Sequence, residues 1–448
     1  MDEKRENVLI LGGGLAGLSS AYHLKKDYAL FEKESELGGM ARSIAKDGYI
    51  FDYDGHLLHF RGEYVFSLLN ELLEGNLAPH KRNSWIYSKG SFTRYPFQAN
   101  LYGLPKDIVK ECLVGFINAR GEVKAGNVKL NGNFENWIRK TFGDGIAEHF
   151  MLPYNRKFWR EEPRDITCDW LDGFIPVPSL EDTVTGAISS NTKPYGYNAR
   201  FWYPIKGGIS ELVKSFSKTL DNVYLEKHAL SIDQYNKKIH FKDKDTRRYE
   251  RLISSIPLPE LISLLNDVPS DIKEAVSMLK YISIYVVNLG IKKDDIVDKH
   301  WVYYPEESVD FYRLGFPTNF STSVAPQGRT SLYAEVSYVE KDAINKEKIV
   351  DDVTRSLKKT HIIENESDIE TCVPIDIKYG YVVYDKHRTS ALDKIKGYLE
   401  GFDIHLAGRY GSWRYMSMED VILDGKETAK KLQDTSKERK WKKDIRSY

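Results

Sequence analysis

Gly12, Gly14 and Gly17 follow the apolar run Val8-Leu9-Ile10-Leu11, and Glu32 stands fifteen positions after Gly17. Glycines at this spacing allow a sharp turn. They also let a pyrophosphate approach a helix amino end, where unspent N–H groups and the dipole favour an anion. Leu15 and Ala16 lie in the same turn, and an acid at position 32 can accept from a ribose hydroxyl. The pattern predicts a dinucleotide site. The bland alternative is a Gly-rich turn without a ligand, and the strand-turn-helix-strand order around it argues against that. Met151, Asn155 and Trp159 recur at i, i+4 and i+8, which sets them on one helix face, able to stack on a base and hydrogen-bond its edge. A Met-aromatic stripe is ordinarily core, and the polar residue in mid-stripe is the reason to read it otherwise. His56 follows Asp54-Gly55 after an aromatic strand; a histidine by itself is more often a structural hydrogen-bonding residue than a base.

The elements that must position these groups are legible in outline. Val8–Leu11 reads as a strand buried on both faces, Leu18 to Lys26 as a helix, and Tyr28 to Glu32 as the next strand. From Leu101 to about Ile175 the apolar residues recur with helical period, with Phe134, Trp137, Ile138, Thr141 and Phe142 on one face and Gly143-Asp144-Gly145 as an interruption. Later stretches at Val223 to Glu226, Lys238 to Phe241, Tyr281 to Leu289 and Ser331 to Val336 predict an antiparallel sheet. Leu252 to Pro257 suggests a strand returning to the nucleotide domain. Ile404 to Leu406 reads as one more buried strand, and Met418 to Leu432 as a closing helix. The mixed-charge tail from Lys437 to Tyr448 needs no function.

Composition narrows the class. The 448 residues carry 65 basic and 65 acidic side chains, so no whole-protein field draws in nucleic acid or an anionic membrane. No stretch approaches the roughly 20 apolar residues of a membrane span. Cys112, Cys168 and Cys372 are too scattered for a disulfide framework or a structural zinc site, so no metal is expected and a reducing, cytoplasmic setting fits best. Aromatics make up 12%, and many stand beside Arg, Asn and Gln, a mixture that suits a polar ligand with rings.

The segment Glu32-Lys33-Glu34-Ser35-Glu36-Leu37-Gly38-Gly39-Met40-Ala41-Arg42-Ser43 is similar to the amino-terminal signature of FAD-binding amine oxidases and mutases, whose loop runs along the cofactor's pyrophosphate. Further pieces follow in order: Asp54-Gly55-His56, Arg94 to Asn100, Phe150 through Trp159, Asn198 to Pro204, Tyr312-Arg313, Gly380-Tyr381 and Gly408 to Tyr415. With these the chain resembles the UDP-galactopyranose mutases, particularly their eukaryotic-type branch, from Val8 to about Leu432. The resemblance implies a mixed α/β fold. A discontinuous Rossmann-like FAD-binding domain would comprise 1–95, 205–265 and 400–448, a helical substrate lobe 96–185, and an antiparallel sheet domain 186–204 and 266–399.

The resemblance also implies roles. Lys33, Gly38, Gly39, Met40, Arg42, Gly55, His56, Gly408, Arg409, Ser417 and Met418 would join Gly12, Gly14, Leu15, Ala16, Gly17 and Glu32 around FAD, with His56 near the reactive flavin nitrogen and the helix from Ser417-Met418 aiming free N–H groups at the cofactor. Tyr95, Phe97 and Gln98 would form the uridine-binding segment, with Met151, Asn155 and Trp159 as its helical partner, and Asn198 would touch the sugar. Arg313 and Arg409 would hold the diphosphate, with Tyr381 and Tyr415 as phenol donors. A planar guanidinium clamps phosphate oxygens bidentately, so two of each suit a diphosphate. In such enzymes the reduced flavin, charged by NADPH or NADH, forms an N5 adduct with the sugar, and pyranose and furanose rings interconvert without net redox change. The implied partner is a UDP-sugar; oligomeric state stays open, a homo-oligomer included.

Two departures stand out. Where the family commonly carries an Arg after Cys168-Asp169-Trp170-Leu171, this chain has Asp172-Gly173-Phe174, so that one phosphate or sugar contact is either missing or supplied by Arg156 or Arg200. The Gly pair that usually precedes the histidine is Asp54-Gly55. Two other functions stay open: an oxidase of the same superfamily, of the amine or protoporphyrinogen type, and a non-catalytic binder like the GDP dissociation inhibitors.

Overall fold

The computed structural model describes residues 5–124, 132–171, 173–196, 198–342 and 344–445; Asp172 lies outside them, as do the side chains from 435 on, most of the tail among them. Val8 to Leu11 are all buried because the strand Arg5–Leu11 runs through the middle of a seven-stranded sheet. It pairs in parallel with Tyr28–Phe31 on one side and Thr246–Ser254 on the other. Val223–Tyr224 extends the sheet beyond Tyr28–Phe31, while Ala229–Asp233 and Lys238–Phe241 extend it beyond Thr246–Ser254, whose second half also pairs with Ile404–Leu406. The strands at 223 and 238 join the nucleotide sheet, where Lys238–Phe241 is antiparallel to both neighbours and only Val223–Tyr224, parallel to Tyr28–Phe31, departs from the predicted antiparallel pairing. Val223–Tyr224 is short, and tertiary pairing with Tyr28–Phe31 decides its place.

The helix Leu15–Leu24 covers one face, starting earlier and ending sooner than the sequence suggested. It packs against the closing helix Met418–Ile445, whose Gly425 lets the two backbones touch: a Cβ there would lie 2.5 Å from the Ala16 carbonyl oxygen. Leu18, Ala21, Ile422, Ala429 and Leu432 fill the seam.

A second seven-stranded sheet runs in the order Ile369–Val382, Tyr281–Ile291, Thr330–Tyr338, Arg313–Gly315, Trp301–Tyr303, Ser84–Ser88, Ser91–Arg94. It is antiparallel except where Trp301–Tyr303 meets Ser84–Ser88. The hairpin 84–94 thus closes the edge of this sheet, although a division at residue 95 assigns it to the nucleotide domain. Arg200–Tyr203 likewise pairs apart from it, with Ala78–Lys81.

The helical lobe holds Lys106–Lys124, Phe134–Ile146, Leu152–Trp159 and Leu180–Ile188. The first two cross at glycines, where a Cβ on Gly143 would sit 2.2 Å from Gly115 backbone, and Gly143, at φ +77°, kinks its helix as the interruption in the pattern implied. A five-residue π-helix, Ala147–Met151, leads into Leu152–Trp159. Among the described residues no helix is long and apolar enough to cross a membrane.

Candidate flavin and substrate site

One cavity of about 1230 Å³ runs from the glycine turn, between the sheets, to the helical lobe. At its inner end Gly12 has φ +103°, and Gly14 begins the helix without a side-chain cap, so the first N–H groups are left for a ligand. Gly17 does not line the cavity. A Cβ there would stand 2.0 Å from the Gly12 oxygen, so this glycine lets the helix lie on the strand. Glu32 is 7% exposed, and its two oxygens accept from the N–H groups of Gly13 at 2.6 Å and Glu34 at 3.0 Å. Those bonds pin the carboxylate at the wall.

The second Gly pair faces the first. Gly14 bridges Gly38, and a Cβ on Gly39 would come within 3.2 Å of the Gly14 Cα. Only backbone fits between the loops. Arg42 Nε donates to the Gly39 oxygen at 2.9 Å while its guanidinium lies 4.6 Å from the Tyr53 ring centre. Leu15, Ala16, Lys33, Met40, Gly55, Gly408, Ser417 and Met418 also line the cavity. The expectation for the closing helix needs one correction: its Asp420 N–H is already taken by Ser417 Oγ at 3.2 Å. Open amide groups, a backbone-only cradle and a pinned acid at the end of the second strand fit the pyrophosphate and ribose of FAD.

Farther along, sheet register assembles the charged groups. Arg313 lies directly opposite Glu335 on one neighbouring strand and opposite Tyr303 on the other, so the three side chains share a face. Arg313 Nη2 donates to Glu335 Oε1 at 2.5 Å and stands 3.4 Å from Asp54 Oδ1. Burial holds the Glu335 carboxyl well above the usual carboxylate range against the Arg313 charge, and the neighbouring Asp54 adds to the effect of burial. Burial pushes Asp54 up too, but the Glu335 hydrogen bond and the Arg313 charge outweigh this and take it to about 2. His56 is lowered by burial, with Arg409 and Arg313 adding to the effect against Asp54, and its Nδ1 is buried without a partner. It is a neutral imidazole at neutral pH.

Arg409 is held from three sides. Its Nη2 donates to the Gly380 oxygen at 3.1 Å and its Nη1 to the Met416 oxygen at 3.4 Å. The guanidinium lies 4.4 Å from the Tyr381 ring centre and 4.9 Å from that of Tyr415, two rings stacked 5.9 Å apart. Arg409 Nε and Arg313 Nε are both buried without a partner. Two fixed guanidinium groups, two phenols and a neutral imidazole therefore meet at one end of a cavity whose other end is built for a dinucleotide.

The model of the flavin-containing amine oxidoreductases matches residues 15–433. The chain belongs to that family. It is a flavoenzyme with the family's FAD-binding fold, as the cradle independently indicates. A curated relative, coproporphyrinogen III oxidase of Bacillus subtilis (strain 168), is 21% identical over 417 residues, covering 83% of this chain and 86% of its own. Protoporphyrinogen oxidase 2 of Arabidopsis thaliana is 21% identical over 262 residues, covering 52% of this chain and 51% of its own. Among solved structures, a reduced UDP-galactopyranose mutase is similar over 96% of both chains, with a TM-score of 0.89 and 25% identity.

The helical wall of this flavoenzyme's cavity carries Met151, Asn155 and Trp159 as the spacing indicated, together with Tyr95, Gln98 and Asn198. Phe97 is a correction. It is fully buried and stacked on Phe150 at 4.9 Å, because its short 3-10 turn points it into the lobe, and Phe150 meets the cavity instead. Gln98 Nε2 is engaged by the Pro176 oxygen at 2.7 Å. Neither Arg156 nor Arg200 reaches the cavity, and Arg156 pairs with Glu162 at 3.0 Å. Phe174 does line it, edge-on to Tyr415 at 4.8 Å. Arg82, which stacks on Tyr95 at 4.5 Å and hydrogen-bonds Asn198, supports two lining residues from behind. Sequence reasoning missed Tyr154, Phe158, Tyr303, Arg82 and above all Glu335. The one charged residue in the otherwise uncharged strand Thr330–Tyr338 was the available signal.

Lys157 anchors this helix to the second sheet, donating from Nζ to the oxygens of Tyr304 at 3.0 Å and Glu306 at 2.9 Å. Burial lowers the amine to about 7. Between pH 7 and the ordinary lysine range the unfolded chain then binds a proton that the folded one does not, so stability rises with pH through that window. Thermal midpoints of the wild type are expected to rise from pH 7 to 9. In Lys157→Met this rise flattens and the midpoint at pH 9 falls by several degrees, as the two helix anchors are lost. A wild-type midpoint that does not increase would contradict the assignment.

Proposed function

We propose that the chain is a flavin-dependent mutase that interconverts the pyranose and furanose forms of a nucleotide sugar, with UDP-galactose as the default substrate. The observation that carries this reading is the group formed by Arg313, Arg409, Tyr381 and Tyr415 beside His56, opposite the Met151, Asn155 and Trp159 face in the same cavity. The likeness to the reduced UDP-galactopyranose mutase over nearly the whole of both chains supports it. Trp159, Met151 and Tyr95 would hold the base by stacking, and Asn155 its edge. Arg409 and Arg313 would hold the diphosphate and stabilise the charge that develops as it leaves the sugar. With the ligand in place, the half-buried aromatic wall of Tyr154, Phe158 and Tyr303 would keep water from the reacting centre. Bound and reduced, FAD supplies a nucleophilic nitrogen for the anomeric carbon, and NADPH or NADH would serve as reductant.

The porphyrinogen oxidases among the sequence relatives favour a second reading, an oxidase that consumes an electron acceptor stoichiometrically. One assay separates the two. Purified protein is reduced with dithionite, given UDP-galactofuranose, and followed by chromatography beside an unreduced control. Conversion only in the reduced sample is the expected result. A yellow protein that converts nothing but takes up oxygen with a porphyrinogen would replace the mutase reading with the oxidase one.

A further inference from the structure

Asp54 and Glu335 have no place in the reading above, and their geometry is unusual. Glu335 is 0% exposed, its Oε1 meets Arg313 Nη2 at 2.5 Å, and its other polar neighbour is the Asp54 carboxyl. Asp54 stands on the cavity wall, 3.4 Å from the same guanidinium nitrogen, at the position where the resembling family carries glycine. Arg313 meets both carboxylates while Arg409 lies farther off, and at the fully buried Glu335 a charge that Arg313 does not offset is far costlier than a proton. A single proton shared by the pair leaves the trio neutral.

The other charged or titratable groups facing the pair are Arg409, His56 and Asp52. Asp52 points away, to Ser43, Tyr203 and the Ile209 amide. The remaining neighbours are phenols: Tyr303, across the sheet from Arg313, and Tyr154, Tyr312, Tyr333, Tyr381 and Tyr410, which burial keeps protonated.

We infer that Asp54 and Glu335 form a proton-accepting carboxyl pair that releases Arg313 to the ligand, so that a diphosphate engaging this arginine draws one proton from solvent onto the pair. This rests on the nucleotide-sugar reading. An arginine whose charge is already spent on a carboxylate offers little to an anion. A second proton on the pair restores its full charge and removes the negative neighbour that would otherwise repel the phosphate. Both groups are positioning residues, acting through Arg313.

The probe is UDP-galactose on the oxidised holoenzyme, since this diphosphate diester does not itself titrate near neutrality. Binding is followed by calorimetry in buffers of different ionisation enthalpy. The expected result is an uptake of more than about half a proton per ligand between pH 5 and 6, with affinity rising toward tenfold per unit as pH falls. The double variant D54N/E335Q binds with no linked uptake. In D54N alone a single carboxyl serves Arg313, and the pH of half-maximal uptake moves by about 1 unit or more; this variant decides the matter should the double one fail to hold its flavin. Binding to the wild type without uptake, uptake that persists in the double variant, or a profile that D54N leaves in place each overturns the inference while the mutase reading stands. Absence of binding to the wild type and to D54N removes the mutase reading and the inference resting on it.

Discussion

Arg409→Ala lowers turnover of UDP-galactofuranose by the reduced protein by about 10²- to 10³-fold and leaves FAD bound, the scale associated with loss of one preorganised electrostatic donor. The side chain is fixed before any ligand arrives. Two of its nitrogens are spent on the Gly380 and Met416 oxygens, its plane lies against Tyr381 and Tyr415, and the buried Nε is unspent beside the cavity. Alanine removes the charge, the donor and the spacing of both rings together. Flavin content follows a different set of groups, the glycine cradle and Glu32, so the absorbance ratio of flavin to protein after gel filtration stays at the wild-type value. Lysine returns the charge without the planar fork and recovers only part of the rate. Full turnover by the alanine variant would remove Arg409 from the phosphate role.

Gly17→Ala has the opposite signature. Its added Cβ would fall 2.0 Å from the Gly12 oxygen and 3.1 Å from the Gly12 carbonyl carbon, both backbone atoms of the turn itself. The helix Leu15–Leu24 must withdraw, yet it is held from behind by the closing helix at Gly425. Overpacking of this kind costs about 1–3 kcal/mol, and each 1.4 kcal/mol that falls on the cofactor complex weakens FAD binding about tenfold. The expected result is a protein that elutes largely colourless and melts several degrees below the wild type. Gly62→Ala is the control. Its Cβ meets nothing within 4 Å and its φ is −134°, so it keeps both flavin and midpoint. A yellow Gly17→Ala variant with an unchanged midpoint would contradict the close approach described here.

Local chemistry in the chain determined the cofactor half of the site. Gly12, Gly14, Gly17 and Glu32 work within one strand-turn-helix-strand unit, where spacing along the chain is spacing in space, and so the turn, the open helix end and the acid closing the second strand were readable from order alone, while the bonds that pin that acid were not. The stripe of Met151, Asn155 and Trp159 was readable for the same reason, because a helix converts a spacing of four into one face. Phe97 was not. Whether an aromatic in a short turn meets a ligand or a neighbouring ring depends on how the lobe packs, and Phe150 took its place. The parallel pairing of Val223–Tyr224 was not readable either, because two residues carry too little pattern to name the partner they will join.

The charged centre was decided by tertiary structure. Arg313 and Glu335 are twenty-two positions apart, and they touch only because antiparallel register sets them opposite each other. Asp54 arrives from a separate segment, and nothing in its local sequence marks it as the partner of either. The resemblance supplied Arg313 with a role, while the fold supplied the two carboxyl groups that modify it. Electrostatics inside a protein depend on distances across elements and on exclusion of water, and both are properties of the packed chain.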